Sequence, residues 1–454
     1  MSRKFKNPDY ESTLKETIRI EDVVPSNHLA RFVVDVIAEL DISKIYAGYA
    51  DRGGSPIAPE ILLGLLFYGY ATGVFSSRKI EQATYERIPF RFVAGGFHPD
   101  HSTIAAFRKV FLGELQDLFV QILLLAQVAG IFQLGDISLD GSKIHADANK
   151  SKAVSYKRLG ELESKLQQEV KELFELGEEA DEKGLTLPEG FFIEDEIKLR
   201  QQRLENLSMA RSVLEARAKE RYEAEKAEYE EKKRKREEKT RKTGKNPGGK
   251  KPEPPKPGPG DKDQYNFTDP ESRIMKNSTD QGFDQHYNVQ IAVDHDAFLI
   301  VAPSISNHPN DKKEAAPTLD AISPRLGKPA SAALDNGYFS EATISTFEKC
   351  GIEPYIATGR EAHHKSWHTF FKELSSPPPE DASPTIKMAY KLQTEIGQAI
   401  YRLRKCTVEP VFGIIKEIMG FRQFSLRGLE AVRGEWYLVC LAFNLKRMHT
   451  LMSA

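Results

Sequence analysis

Apolar residues recur every three to four positions through most of the first 130 residues, the spacing of one helix face. The run Leu29 to Leu40 follows Ser26-Asn27, Glu60 to Thr72 follows Ser55-Pro56 and Pro59, and Arg78 to Arg87 follows Ser76-Ser77. Each start carries a capping side chain or an early proline, which satisfies or removes the free N–H groups of a first helical turn. Pro99 to Thr103 opens a further helix over Ile104 to Val110, and Leu112 to Ala129 predicts another that stops at Gly130. At Gly135 the period changes. Ile137 to Ile144 alternates, with β-branched residues, and predicts a strand.

Two long helical patterns follow. Leu159, Leu162, Leu166, Val170 and Leu173 mark the first; Ile193, Ile197, Leu204, Leu207, Leu214, Ala218 and Tyr222 mark the second. A polar turn at Gly184 to Gly190 joins them into an αα-hairpin whose other faces are almost all charged. Residues 231–256 hold twelve Lys/Arg against four Asp/Glu, and eleven of the seventeen residues from Gly244 to Gly260 are Gly or Pro. Such a stretch cannot bury enough surface to fold and reads as a disordered linker, free to touch DNA phosphates or to act only as a tether. Beyond it, Tyr287 to Asp294 and Phe298 to Pro303 predict a hairpin of strands around His295-Asp296. Lys312 to Leu326 reads as helix, Ala330 to Leu334 as a buried strand, Ser340 to Gly351 as helix, and Ile352 to Ala357 as strand. This alternation is the signature of an α/β fold. The end is helical over Pro384 to Arg404, Val408 to Met419 and Leu429 to Met452.

Composition narrows the class. With 454 residues, 40% hydrophobic and 29% charged, the chain is globular and has room for two or three domains. A formal net charge of −2 announces no nucleic-acid partner by itself, so any such binding must come from local patches. Three scattered cysteines, Cys350, Cys406 and Cys440, argue against a disulfide framework or a zinc ribbon and fit a reducing cytoplasm. The polar start and an apolar run of only about ten residues indicate neither a secretory signal nor a membrane segment, which needs roughly 20.

Three acids stand out by position. Asp140 lies in the first strand pattern, Asp335 ends a short apolar strand before Asn336-Gly337, and Glu409 opens the helix read from Val408. Phosphodiester cleavage needs an activated nucleophile and relief of charge at phosphorus, and two hard cations about 4 Å apart supply both. Carboxylates are the ligands Mg²⁺ prefers. With 66 acidic residues the spacing alone selects no triple, and either Asp-Gly or Asp-Asn-Gly also reads as a turn.

Resemblance adds what spacing lacks. Asp140-Gly141-Ser142-Lys143-Ile144-His145-Ala146, Leu334-Asp335-Asn336-Gly337-Tyr338-Phe339-Ser340 and Val408-Glu409-Pro410-Val411-Phe412-Gly413 resemble the bacterial insertion-sequence transposases with an RNase H-like DDE core. Tyr287 to Asp294 resembles the family's central strand. Val74 to Glu81 and Pro99 to Ile104 resemble its N-terminal helical domain, and Arg427-Gly428, Glu435-Trp436 and Asn444 to Lys446 its C-terminal tail. The resemblance implies that Asp140, Asp335 and Glu409 are metal ligands for two Mg²⁺ ions, with Mn²⁺ a possible substitute. It also implies a Tyr-Arg-Glu-Lys signature, matched by Tyr401, Arg404, Glu409 and Lys416. Four residues separate Arg404 from Glu409 where the pattern has three, and Lys405 fills that slot.

The expected organisation is a mixed sheet flanked by helices, preceded by an all-helical domain and split by an insertion. Residues 1–130 form the helical, DNA-end-binding domain, with Arg108 and Lys109 exposed as DNA contacts or, alternatively, a packing cap. Residues 131–150 begin the catalytic core, 151–243 are the inserted hairpin, 244–263 the linker, and 264–454 the rest of the core. The expected function is metal-dependent cleavage and strand transfer on double-stranded DNA by a homodimer. A nuclease without strand transfer and a non-catalytic DNA-binding protein are the alternatives. His145, His286 and His308 are expected to be structural or surface residues, Trp436 a core residue, and Tyr338 a candidate for stacking on bases.

Overall fold

The period-3.6 patterns of the N-terminal region fold as helices. Leu29–Ala38 buries Ala30, Val33, Val36 and Ile37, and Pro59–Ala71 is buried on nearly every face, so it forms the centre of the helical layer. Ser77–Glu86, His101–Val110 and Leu115–Val128 complete it, the second capped by the Asp100 carboxylate on the Ser102 N–H at 2.7 Å. The computed structural model describes residues 19–49, 56–243, 251–277, 282–359 and 376–453. Among these no single helix is long and apolar enough to cross a membrane, and the three cysteines are free.

The chain divides into two units, Met1–Ala146 with Tyr287–Ala454, and Asp147–His286. The first contains a mixed sheet of β1 (Ile137–His145), β2 (Phe283–Asp294, in this unit from Tyr287 on), β3 (Ile300–Ser306), β4 (Ser331–Leu334) and β5 (Glu353–Ile356), in spatial order β3-β2-β1-β4-β5. β2 and β3 are antiparallel; β1, β4 and β5 are parallel, with Leu139 level with Leu334 and Leu334 level with Ile356. This order and direction make the fold α/β with an RNase H-like mixed sheet and an N-terminal helical region. Pro303, which cannot donate to a ladder, sits on β3 at the sheet's edge. That edge is occupied by Asn444 of helix Leu429–Met452, which accepts from Ile300 N at 2.9 Å and donates to its carbonyl at 2.8 Å. The same helix packs on Pro59–Ala71 and buries Trp436 completely, as expected of a core residue.

The structure redraws several boundaries. The helix expected over Lys312 to Leu326 is two short turns, Ala315–Asp320 and Pro324–Leu326, because Ser323 before Pro324 is extended. The C-terminal helices break at Leu392 to Thr394, not between Arg404 and Val408. Thr394 caps the Gly397 N–H at 3.1 Å, and Glu395–Gly413 then runs unbroken through Pro410 into a π-turn at Ile414–Ile418. Glu409 is therefore inside a helix, not at the start of one.

In the second unit, Tyr156–Lys183 and Ile193–Thr243 form the expected hairpin, with Leu159, Leu207, Ala210 and Leu214 buried between them. Ala153–Ser155 pairs with Gln264–Asn266, and Arg273–Lys276 pairs with residues 283–286. Part of the stretch read as linker is held in place: Asp263 accepts from Gly260 N at 2.9 Å and Arg221 at 2.9 Å, and its carbonyl accepts from Tyr156 N. Residues 244–250 of that stretch lie outside the described residues.

Candidate active site

Parallel register builds the site. Since Leu139 of β1 is level with Leu334 of β4, Asp140 and Asp335 are the next residues on neighbouring strands, which run about 4.8 Å apart. Asp335 follows directly on the carboxyl end of β4, where open α/β sheets place their functional groups, and Asp140 lies level with it in the middle of β1. Asp335 is fixed by accepting the Gly337 N–H at 2.7 Å, and Asp140 by accepting that of Gly141 at 2.8 Å.

Helix Glu395–Gly413 packs over β1 and β4, with Arg404, Thr407, Val408, Val411 and Phe412 on its buried face. Arg404, only 7% exposed, points its guanidinium among the acids: Nη1 lies 3.2 Å from Asp140 Oδ2 and Nη2 lies 3.6 Å from Glu409 Oε1. One guanidinium thus spans from a strand carboxylate to a helix carboxylate, and it acts electrostatically on Asp335 as well. Its carbon lies 5.8 Å from the centre of the half-buried Tyr401 ring. Asp140, Asp335, Glu409, Arg404 and Tyr401 therefore gather in one place, although they come from three distant stretches.

Electrostatics show what the site lacks. Burial pushes the Asp140 carboxyl up to about 7, against the pull of Arg404 and with a further push from Asp335. Burial also raises Asp335, opposed by its Gly337 hydrogen bond. On Arg404 burial acts downward, yet the carboxylates, Asp140 first, leave it above its ordinary value. The acids outnumber the positive charge beside them, a donor set of hard oxygens suited to Mg²⁺. The chemistry of the donor set suits divalent cations, although no three of these acids bring their oxygens within 4.8 Å of one another. Among the described residues, three metal-capable side chains come within 4.8 Å of one another only at Glu81, Asp100 and His101, in the helical region. There His101 Nδ1 meets Glu81 at 2.7 Å and joins two helices.

Three expected contacts are placed differently. Arg108, expected on the surface, is buried: it donates to Tyr70 Oη at 2.8 Å, and Tyr70 donates to Glu435 at 2.9 Å, so this arginine ties the helical region to helix Leu429–Met452. Lys109 is exposed as expected. Lys416 does not share a regular helical face with Glu409, because the π-turn at Ile414–Ile418 changes the phase between them. Its ammonium instead contacts Ser142 Oγ and, at 3.3 Å, the Lys143 carbonyl, two and three residues beyond Asp140. Tyr338, a candidate for stacking, is wholly buried and donates to Gln290 Oε1.

Sequence reasoning missed Asp311 and the two carboxamides that bind it. Asn288 Nδ2 and Gln290 Nε2 both donate to Asp311 Oδ1 at 2.8 Å. The available signal was the pair itself: Asn288 and Gln290, two residues apart and hence on one face, stand among Tyr287, Val289, Ile291, Ala292 and Val293.

Comparison with known families bears on both ends of the chain. Residues 18–110 match a family described as transposase domain (DUF772), and residues 375–449 match one described as transposase DDE domain. No curated protein and no solved structure matches the chain. The C-terminal match includes Tyr401, Arg404, Glu409 and Lys416; Asp140 and Asp335 lie outside both matches. The two matches fall where the helical and C-terminal motifs raised the resemblance, on either side of the mixed sheet, and they support an insertion-sequence DDE transposase family.

Proposed function

We propose that this transposase cuts DNA at the ends of an insertion sequence and joins the freed ends to target DNA, with Asp140, Asp335 and Glu409 holding two Mg²⁺ ions. The observation that carries the reading is the convergence of the two register-matched aspartates with Glu409 around Arg404. Bound divalent cations would supply positive charge to the attacking and leaving oxygens of an in-line displacement at phosphorus; Mn²⁺ could take their place.

The chain's own residues do the rest. Asp140 and Asp335 are held by backbone N–H groups, so their oxygens are preorganised and little reorganisation accompanies binding. Arg404 balances part of their charge and offers planar N–H donors matched to phosphate oxygens. Tyr401 and the exposed Lys109 are the remaining proposed DNA contacts. Lys416 supports the site by anchoring the π-turn to β1, next to the segment that carries Asp140. Binding of double-stranded DNA through such contacts weakens as salt rises. We take the active form to be a homodimer in the cytoplasm, as the family resemblance suggests.

The test uses DNA bearing the element's ends and, separately, pre-cut ends with a target plasmid. Wild-type protein with Mg²⁺ should nick the first and join the second, and EDTA should stop both. Cleavage without joining of pre-cut ends would reduce the activity to that of a nuclease.

A further inference from the structure

We propose that Asp311 is a fourth carboxylate of the cation site, aimed at Asp335 across Gly337 and set in position by Asn288 and Gln290. The proposal rests on the cation-binding reading above and adds a residue to it.

Asp311 lies in the loop between β3 and the short helix Ala315–Asp320, with its side chain partly buried. An aspartate just ahead of a helix ordinarily caps it. Here that helix is preceded by Glu314, and the Asp311 carboxylate is bonded to β2 instead. Asn288 and Gln290 are 0% and 1% exposed, and buried carboxamides on a central strand are costly unless they have partners. Both spend an N–H on the same oxygen, Oδ1. Gln290 cannot be turned around, because its Oε1 would then face the Asp311 carboxylate and Asn288 Oδ1, which only accept; as placed, its Nε2 donates to both and its Oε1 accepts the Tyr338 hydroxyl. The network therefore holds one carboxylate oxygen and leaves the other, Oδ2, for the site.

Two glycines record how closely these groups approach. A Cβ on Gly141, directly after Asp140, would stand 2.3 Å from Gln290 Nε2, so any side chain there would displace the amide that orients Asp311. A Cβ on Gly337 would stand 2.9 Å from Asp335 Oδ1 and 3.6 Å from Asp311 Oδ2, so these two oxygens flank the same point. Asp311 also acts electrostatically on Asp140 and on Asp335. Four acids gather beside two cations, Arg404 and Lys143, the second of which also feels Asp311 electrostatically, so the cluster keeps an excess of negative charge that a bound cation would offset. Arg404 itself leaves its buried Nε without a hydrogen-bond partner, so the cluster is not a finished ion-pair network.

Asp311→Asn isolates the charge, since the asparagine oxygen can still accept from Asn288 and Gln290. Mn²⁺ binding to the full-length protein, followed by electron paramagnetic resonance, is the readout, with Asp335→Asn alongside. Asp311→Asn should weaken Mn²⁺ binding by about tenfold or more, and Gln290→Ala should weaken it less. Normal binding in Asp311→Asn with loss in Asp335→Asn would overturn the role of Asp311 and leave the site intact; normal binding in both would remove the site as well. A measurement on unaltered protein guards against misfolding of the variant. Fe²⁺ with ascorbate and peroxide should cut the backbone around residue 311 as well as around 140 and 335. Cuts at 140 and 335 without one near 311 would also overturn the proposal.

Discussion

The helical hairpin and the acid cluster on the sheet use charge in opposite ways. On the hairpin, opposite charges alternate at helical spacing, and pairs such as Lys183 with Glu179 and Lys232 with Glu228 are more than half exposed. Each charge in such exposed pairs is solvated whether or not its neighbour is present, and the less exposed pairs between the two helices, Arg200 with Glu169 and Arg211 with Glu163, set one acid against one arginine. On the sheet, the paired side chains of Arg404 and Asp140 are 9% and 20% exposed, and further carboxylates crowd the same guanidinium. The hairpin has many more charges, yet the small, buried and unbalanced set is the one that can bind and react. What matters is desolvation and an excess of one sign, not the number of ionic residues.

The largest effect that could break this contrast is catalytic. Asp140→Asn or Glu409→Gln should slow cleavage of end-bearing DNA by on the order of 10³-fold while circular dichroism stays unchanged. Next in size is stability. Arg404→Ala strands Asp140 in a buried position and should cost about 3–5 kcal/mol in denaturant unfolding, whereas a cost near zero would mean the pair is as solvated as the hairpin's.

A smaller effect concerns pH. Burial lifts Asp140 from 3.8 to about 7 in the folded chain. Its contribution to stability is therefore complete below 3.8 and is lost as pH rises through about 7. Melting temperatures of cation-free wild type should fall relative to Asp140→Asn across that window, and parallel profiles would contradict the assigned burial. The smallest effect belongs to the hairpin: Lys183→Ala should leave thermal melting and DNA cleavage unchanged within error, and a clear loss in either would erase the contrast.

Much of this arrangement was legible in the chain. The strand at Ile137, the hairpin helices and the capped helix after Asp100 follow from local periodicity and capping, which act over a few residues. The order of the acids could be read through resemblance, and the match of residues 375–449 covers Glu409. What was not legible depends on partners far away in sequence. Arg108 looks like an exposed helical arginine until Tyr70, 38 residues before it, provides a buried acceptor. Pro410 suggests a helix start, yet the helix runs through it and changes to a π-turn only from Ile414 on. Asp311 resembles any polar loop residue until β2 presents two carboxamides to it.

The central claim is that Asp335 acts with Asp140 and Glu409 in one cation-dependent cleavage site. Its most direct test compares wild type with Asp335→Asn in Mg²⁺-dependent cleavage of end-bearing DNA, at equal DNA occupancy. The account predicts that the variant binds DNA yet is slower by on the order of 10³-fold; equal cleavage rates for the two proteins would contradict it.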